Sequence, residues 1–457
     1  MLRINTWAPG ILAALSLCLA TAAAAKVSPE EAASLKTNLT PFGAERAGNA
    51  DGSIPAWAGG LKPGTQGLPA VKNGDFYPNI YKDEKPLFTI TAQNLAKYAD
   101  KLTDGQKALF KKYPDYRINV YPTHRTFAAP QWVYDEVYKN ATRASLTPDG
   151  LGVIGGYGAI PFPIPKRGEE VVFNHLLHYQ SQSRQLDFTS GVVQANGRYD
   201  VGAGGSIKER YPYAVKGGSE ATHSGYLVEV LMGYNDPARR KGEFVLVRDA
   251  LNQSEKEREA WQYLPGQRRV RRAPTLAYDT PQDGYGGLVN FDDAYGFSGA
   301  LDRFTWKLIG KKEMYVPYNN FELNLVPFEK VATGKFTNPD VQRWELHRVW
   351  VVEANLKSGK RHSFSKRVMY FDEDSWVLQL ADNYDSRSAL WRTLVTPTMP
   401  AWSLPATMMA TNQIYDLNTD YYALVGMYSG FKNFVFFDQP IPDSTYSPDQ
   451  LRSEGRR

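Results

Sequence analysis

The stretch Arg343–Leu356, RWELHRVWVVEANL, decides the fold. Read with a period of two, one face carries Trp344, Leu346, Arg348, Trp350, Val352, Ala354 and Leu356. The other carries Glu345, His347, Val349, Val351, Glu353 and Asn355. Successive side chains of a strand point to opposite faces, so this is a strand with one predominantly apolar side. Lys357-Ser358-Gly359-Lys360 then reads as a hairpin turn into RHSFSKRVMYF, and Asp372-Glu373-Asp374-Ser375 as a second turn into WVLQLADNY. Strands joined by tight turns pair antiparallel and need no crossover helix.

The same period runs upstream from about Gly225. GYLVEVLMGY and EFVLV read as strands around the turn NDPARRKG; WQYLP, RRVRR, Phe304–Ile309 and Lys312–Val316 continue the pattern. Before Gly225 the signals are helical. Helices are predicted at Thr91–Leu102, Thr103–Lys112 (with Thr103 and Gln106 as a capping pair), Gln131–Ala141 and Glu169–Gln180, the last after the rigid turn PFPIP. The fold class is therefore α+β, helices first and then a large antiparallel sheet. The expected divisions are an export signal at 1–25, an irregular N-terminal arm at 26–90, a mainly helical part at 91–220, an antiparallel β core at 221–438 and a polar tail at 439–457. The arm opens with Ser28, Pro29 and Glu31 as a helix start, then becomes dense in Gly, Pro, Asn and Asp.

Composition agrees. Ten Trp, 28 Tyr and 21 Phe make the chain 13% aromatic; with 38 Gly and 29 Pro, this favours twisted strands and turns. A net charge of +5 over 457 residues argues against a nucleic-acid partner.

Arg3, the apolar run Ile11–Ala20 and Ala23-Ala24-Ala25 have the layout of a secretory signal. The run is shorter than the roughly 20 residues that span a bilayer, so no transmembrane segment is expected in the mature chain. The single cysteine, Cys18, lies within it behind Leu17, where a lipidated start requires a small residue. A mature chain without cysteine has no disulfides, thiolate metal sites or thiol nucleophiles. The expected location is periplasmic, with outer-membrane association as its variant.

Motifs that would carry chemistry fail their structural tests. Gly150–Gly155 matches GxGxxG, but Gly156, Gly158 and Pro161 forbid the helix that must follow. Ser363–Lys366 matches SxxK on a stretch that reads as strand, where an offset of three sends the two side chains to opposite faces. His175 and His178 could form a metal pair, but no third ligand has suitable spacing. Asp372–Asp374 lacks the alternation of a calcium loop and reads as a charged hairpin turn. No catalytic residue, metal or cofactor is expected.

Two features remain. Arg268, Arg269, Arg271 and Arg272 put four guanidinium groups on a strand, two per face. They serve either as a solvated edge paired with Asp292, Asp293 and Asp302, or as a contact for carboxylate or phosphate groups. Trp261, Trp306, Trp344, Trp350, Trp376 and Trp391 recur along the sheet. They are core residues or, if the curved sheet encloses a cavity, its candidate lining.

The blocks TPFGAERAGNADGSIPAW, PFPIP with NHLLHY, WQYLPGQRRVRRAP, DRFTWKLIGKKEMYVPYN and RVMYFDEDSWVLQLADNYD resemble an uncharacterised proteobacterial secreted family labelled outer-membrane lipoprotein-sorting proteins. The part from NDPARRKG to DRF also resembles the wider superfamily of Lol-type periplasmic lipoprotein carriers, although those simple carriers lack the long N-terminal part. This resemblance implies a curved antiparallel half-barrel, helices covering its mouth and an apolar cavity. It further implies a non-enzymatic carrier or accessory protein for a lipid, acyl chain or other hydrophobic ligand, partnered with an envelope export pump or an outer-membrane barrel. The alternative is a structural envelope protein whose aromatics bind polysaccharide or a partner.

Overall fold

The computed structural model describes residues 27–273, 276 and 278–455. The expected export signal, with Cys18, lies outside the described residues.

Sixteen strands form one sheet. Short β1 (Phe88–Ile90) and β2 (Ile118–Val120) come first. A first meander follows: β3 (Ser183–Val193), β4 (Tyr199–Arg210), β5 (Tyr226–Asp236), β6 (Phe244–Ala250), β7 (Glu259–Leu264) and β8 (Arg269–Arg272). A second comprises β9 (Phe304–Pro317), β10 (Trp344–Leu356), β11 (Lys366–Asp372), β12 (Leu378–Tyr384), β13 (Leu390–Val395), β14 (Asn412–Asp416) and β15 (Tyr422–Met427). Last, β16 (Val435–Phe437) pairs with β3. Pairing is antiparallel except at Val120–Trp344, where β2 meets β10 in parallel.

The two meanders join where β15 pairs with β3, which leaves β8 at one end of the sheet; at the other, β10 carries both β9 and the short β1–β2 pair. These ends do not pair with each other among the described residues, so the sheet is an open half-barrel. Bulges bend it. Register shifts fall between Ser190 and Gly191, between Gly204 and Gly205, and between Tyr370 and Phe371. A Cβ on Gly205 would lie 1.9 Å from the Gly233 carbonyl oxygen, so the bend there requires glycine.

This topology dictates the most consequential feature of the molecule. The connection from β8 to β9 must travel from one end of the sheet to the other, and it does so across one face. Asp292 and Asp293 reach Arg367 on β11. The Leu288 carbonyl accepts from Arg392 on β13, and the Asp293 carbonyl from Asn412 on β14. Tyr295 bonds Glu209 on β4, and Ser298 accepts from Arg258 just ahead of β7. Tyr285, Leu288, Val289 and Phe297 of this crossing segment join Met369, Phe371, Leu394 and Ile414 in the main apolar cluster. On the outer face, Tyr370, Val395 and Tyr415 pack with Leu109 and Phe110 in a second cluster.

The α-helices among the described residues are α1 (Pro29–Ala33), α2 (Asp104–Lys112), α3 (Gln131–Arg143) and α4 (Gly168–Leu176), with single turns at Glu322–Leu325 and Phe328–Val331 and a short C-terminal helix at Pro448–Glu454. Both predicted capping pairs form, at Ser28–Glu31 and Thr103–Gln106. The helix expected over Thr91–Leu102 shrinks to a 3₁₀ segment, Leu95–Lys101, because Asn94 bonds Thr91 and Thr89 in a turn instead of capping a helix. Strands β3 and β4 lie inside the stretch expected to be mainly helical. Their inward positions include Arg184 and Ser190, both buried, so the apolar alternation that betrays a strand is masked.

Helix α4 and the crossing segment together cover the open side of the half-barrel. His175 joins them to the sheet: Nδ1 accepts from the Leu378 amide at 3.1 Å, and Nε2 lies 3.2 Å from the Phe297 carbonyl oxygen. The arm docks against the same region, with the Trp376 indole donating to the Phe42 carbonyl at 2.8 Å. Gly43 next to it has φ +88°, and a Cβ there would sit 1.8 Å from the Pro163 carbonyl oxygen of the PFPIP turn. Residues 443–454 fold back onto the outer face, where Tyr446 and Leu451 pack on Leu231, Leu246 and Tyr263.

Candidate ligand cavity

Alternation along the first meander sends alternate side chains inward: Arg184, Leu186, Phe188 and Ser190 from β3, and Val228, Val230 and Met232 from β5. The register places Val230 opposite Val247 and Met232 opposite Val245, so both strands present the same face. Tyr285, Phe291 and Tyr295 of the crossing segment close the space above them. The result is a mainly apolar inner cavity of about 200 Å³.

An outer cavity of about 500 Å³ adjoins it, with a more polar wall that includes Lys256, Glu257, Asp279 and Arg303, and Leu176 from α4. Asp249, Arg258 and Ser298 line both cavities. Arg258 holds Asp249 through two bonds, Nε–Oδ1 at 2.5 Å and Nη2–Oδ2 at 2.8 Å, and also donates to the Ser298 carbonyl at 2.6 Å. Burial works against the Arg258 charge, but the Asp249 carboxylate outweighs it and raises the guanidinium pKa. This ion pair forms a polar partition between the two spaces.

The six tryptophans stand elsewhere; none lines either cavity. Trp261 packs on the outer face with Leu246 and Tyr263. Trp306 is buried beside Phe297 and Phe304, with its indole donating to Leu301. Trp344 lies in the outer-face cluster, and Trp350 stacks on Trp376 at 6.0 Å. Trp391 donates to Asp416 at 2.8 Å.

The arginine run also differs from expectation. Arg268 has φ +51° and belongs to the turn that starts at Leu264, so three arginines, not four, sit on β8. Arg269 and Arg271 pair with Leu264 and Gln262, and Arg272 with Trp261. All four are exposed. Only Arg272 lines a cavity, the outer one, and lies 3.9 Å from Glu259. Asp292 and Asp293 are not their partners, because the crossing segment carries both to Arg367, and Asp302 pairs with Lys360.

Comparison with known proteins places the chain. Residues 89–452 match the family described as Protein of unknown function (DUF1329). The chain belongs to this family. An uncharacterized protein of Pseudomonas aeruginosa is 42% identical over 453 residues, covering 98% of both chains. Among solved structures, a DUF1329 family protein from Desulfovibrio piger is 14% identical, with a TM-score of 0.40 over 60% of this chain and 92% of its own. A LolA superfamily protein from Nitrosomonas europaea is 10% identical, with a TM-score of 0.36 over 63% of this chain and all of the other. The family resemblance read from the sequence blocks is thereby borne out.

This DUF1329 chain also buries a polar cluster that the sequence did not announce. The Asp372–Ser375 turn is a hairpin as expected, but it is buried. Arg125 grips Asp374 through two bonds of 2.9 and 2.7 Å, while Lys311 and Arg348 hold Glu373 at 2.9 and 3.2 Å. Asp372 takes the Ser375 amide and hydroxyl; burial, with Asp374 beside it, pushes its pKa up to about 6. His347, Asp372 and Asp374 bring donor atoms within 4.8 Å of one another, yet both Asp374 oxygens already face Arg125. Arg348 also holds the Ala47 carbonyl, and Glu45 meets Lys311, so the cluster anchors the arm. His175 and His178 are buried, and burial lowers their pKa values to about 4 and about 3, which keeps both neutral. Partners 25, 62 and 249 residues from the carboxylates they hold leave no local spacing by which such a cluster could be found.

Proposed function

We propose that this protein is a non-enzymatic carrier or accessory protein of the bacterial cell envelope that shelters a lipid, acyl chain or similar hydrophobic molecule. The observation that carries this reading is the inner cavity: a mainly apolar space between the sheet and the crossing segment, adjoining a larger space of mixed polarity across a single ion pair. Burying an acyl chain gains about 0.8 kcal/mol per methylene, enough for such a space to hold a lipid out of water without chemistry. Small-molecule sites commonly measure about 300–1,000 Å³, a range that the inner cavity reaches once it opens into the outer one. Among the described residues no helix is long and apolar enough to cross a membrane. The export signal expected at 1–25 puts the carrier in the periplasm, where an export pump or an outer-membrane barrel would supply or receive its ligand.

Native mass spectrometry of protein purified from the periplasm tests the reading. The expected spectrum shows a lipid-sized adduct that organic extraction removes and a fluorescent acyl ester displaces. Repeated absence of any adduct, together with no uptake of the fluorescent ester, overturns it. A broad hydrolase screen is expected to show no turnover.

A further inference from the structure

The charges lining the inner cavity show which hydrophobic molecules it suits. Arg184, Arg240 and Arg258 face it, and each has a carboxylate of its own: Glu209, Glu243 and Asp249. Asp283, the other charged lining residue, is exposed at the surface. The interior is thus balanced, with three cations against three anions. A ligand that brought in an ionised group would add an uncompensated charge to a desolvated space, which is costly even beside a favourable dipole.

Hydrogen bonding is not balanced. An arginine side chain carries five N–H donors and no acceptor. Arg184 is 2% exposed and Glu209 fully buried. Glu209 has its acceptors filled, by Arg184 Nε and the Tyr211 hydroxyl on one oxygen and by the Tyr295 hydroxyl on the other. Arg184 does not have its donors filled. Nη1 reaches only the Met408 sulfur, at 3.6 Å, and Nη2 makes no hydrogen bond among the described residues. The Tyr211 and Tyr295 rings lie 5.6 and 5.4 Å from the guanidinium carbon, so the group is held in place with N–H groups to spare. Arg240 and Arg258, by contrast, each lock both edges of a carboxylate.

We infer that Arg184 is a specificity-determining residue, and that the inner cavity selects uncharged amphiphiles bearing an oxygen acceptor, such as an ester or ketone carbonyl, over hydrocarbons and over ionised fatty acids. The inference rests on the carrier reading and goes beyond it by naming the class of ligand. The acceptor oxygen takes the free Arg184 N–H groups, and the apolar remainder lies along Phe188, Val228 and Val230. Glu209 keeps Arg184 from acting as a general anion trap, because its charge is already neutralised.

Three ligands of matched chain length decide this: decane, methyl decanoate and decanoate, titrated into the purified full-length protein at pH 8 by isothermal calorimetry. Methyl decanoate is expected to bind at least tenfold more tightly than either of the others. In the double variant Arg184→Met/Glu209→Gln, which removes both buried charges together, the ester is expected to bind within about twofold of decane. Decanoate binding as tightly as the ester overturns the inference, as does an ester advantage that survives the double substitution. If the double variant does not fold, the ranking of the three ligands on the unaltered protein still decides. Binding of decane and ester alike, with no preference, refutes the selectivity while leaving the carrier reading in place; binding of none of the three refutes both.

Discussion

Replacing Arg367 with methionine is expected to release the crossing segment from the sheet. Arg367 is fully buried on β11. It donates to Asp292 at 3.0 Å, to Asp293 at 3.2 Å and to Asn383 at 2.9 Å, with the Phe297 and Phe364 rings each 5.2 Å from its guanidinium carbon. The methionine fills much of the volume but leaves two adjacent buried carboxylates with only His362, 2.9 Å from Asp292, and the Asn290 amide, 2.9 Å from Asp293, as close partners. Breaking a buried pair from one side costs about 3–5 kcal/mol. Unfolding entropy is about 2.1 cal/mol/K per residue, near 0.9 kcal/mol/K for a chain of this size unfolding as one unit. The melting temperature should therefore fall by about 3–6 °C. Limited proteolysis gives the sharper signal, since cleavage between residues 278 and 303 should become fast while the second meander stays intact. Adding Asp292→Asn and Asp293→Asn should recover most of the loss, because the uncompensated charges then leave together. An unchanged melting temperature with an unchanged cleavage pattern in Arg367→Met would refute the assignment of this cluster as the clamp on the crossing segment.

Val230→Trp, which fills the inner cavity from β5, should weaken uptake of a fluorescent acyl ester at least tenfold while changing stability by no more than about 1–3 kcal/mol; both are read by titration and thermal melting. Arg269→Gln/Arg271→Gln should shift stability by less than about 0.5 kcal/mol and leave ester binding unchanged, since both side chains are exposed and line neither cavity. The pH dependence of stability should carry the mark of Asp293, whose pKa rises to about 6 through burial and the neighbouring Asp292 charge. A raised carboxyl pKa means that the folded state holds the proton more tightly than the unfolded chain. Its destabilising contribution is thus full above about pH 6 and fades as the pH falls from about 6 to about 4. Urea midpoints should rise less between pH 7 and pH 5 in Asp293→Asn than in the unaltered protein, and equal rises would contradict the assignment.

Local pattern was enough for the fold class and for strands β5 to β12, but not for β3 and β4. RWELHRVWVVEANL becomes β10, as its period of two indicates, although packing in the folded chain buries both of its faces; the turns after it fix antiparallel neighbours within a few residues. Capping at Ser28 and Thr103 was legible for the same reason, since donor and acceptor stand three residues apart. The tertiary structure alone decided the rest. That β15 closes onto β3 is a pairing between distant segments, and only this pairing forces the chain from β8 to β9 across the inner face and so encloses the cavity. The tryptophans drew notice as large apolar groups, yet the lining came from Val, Met and Tyr that alternation cannot tell from ordinary core. Arg184 with Glu209, and Arg125 with Asp374, are paired across 25 and 249 residues. Local pattern records which side of a strand faces inward, whereas charge pairing and enclosed space depend on which strands meet, and that is settled by the whole chain at once.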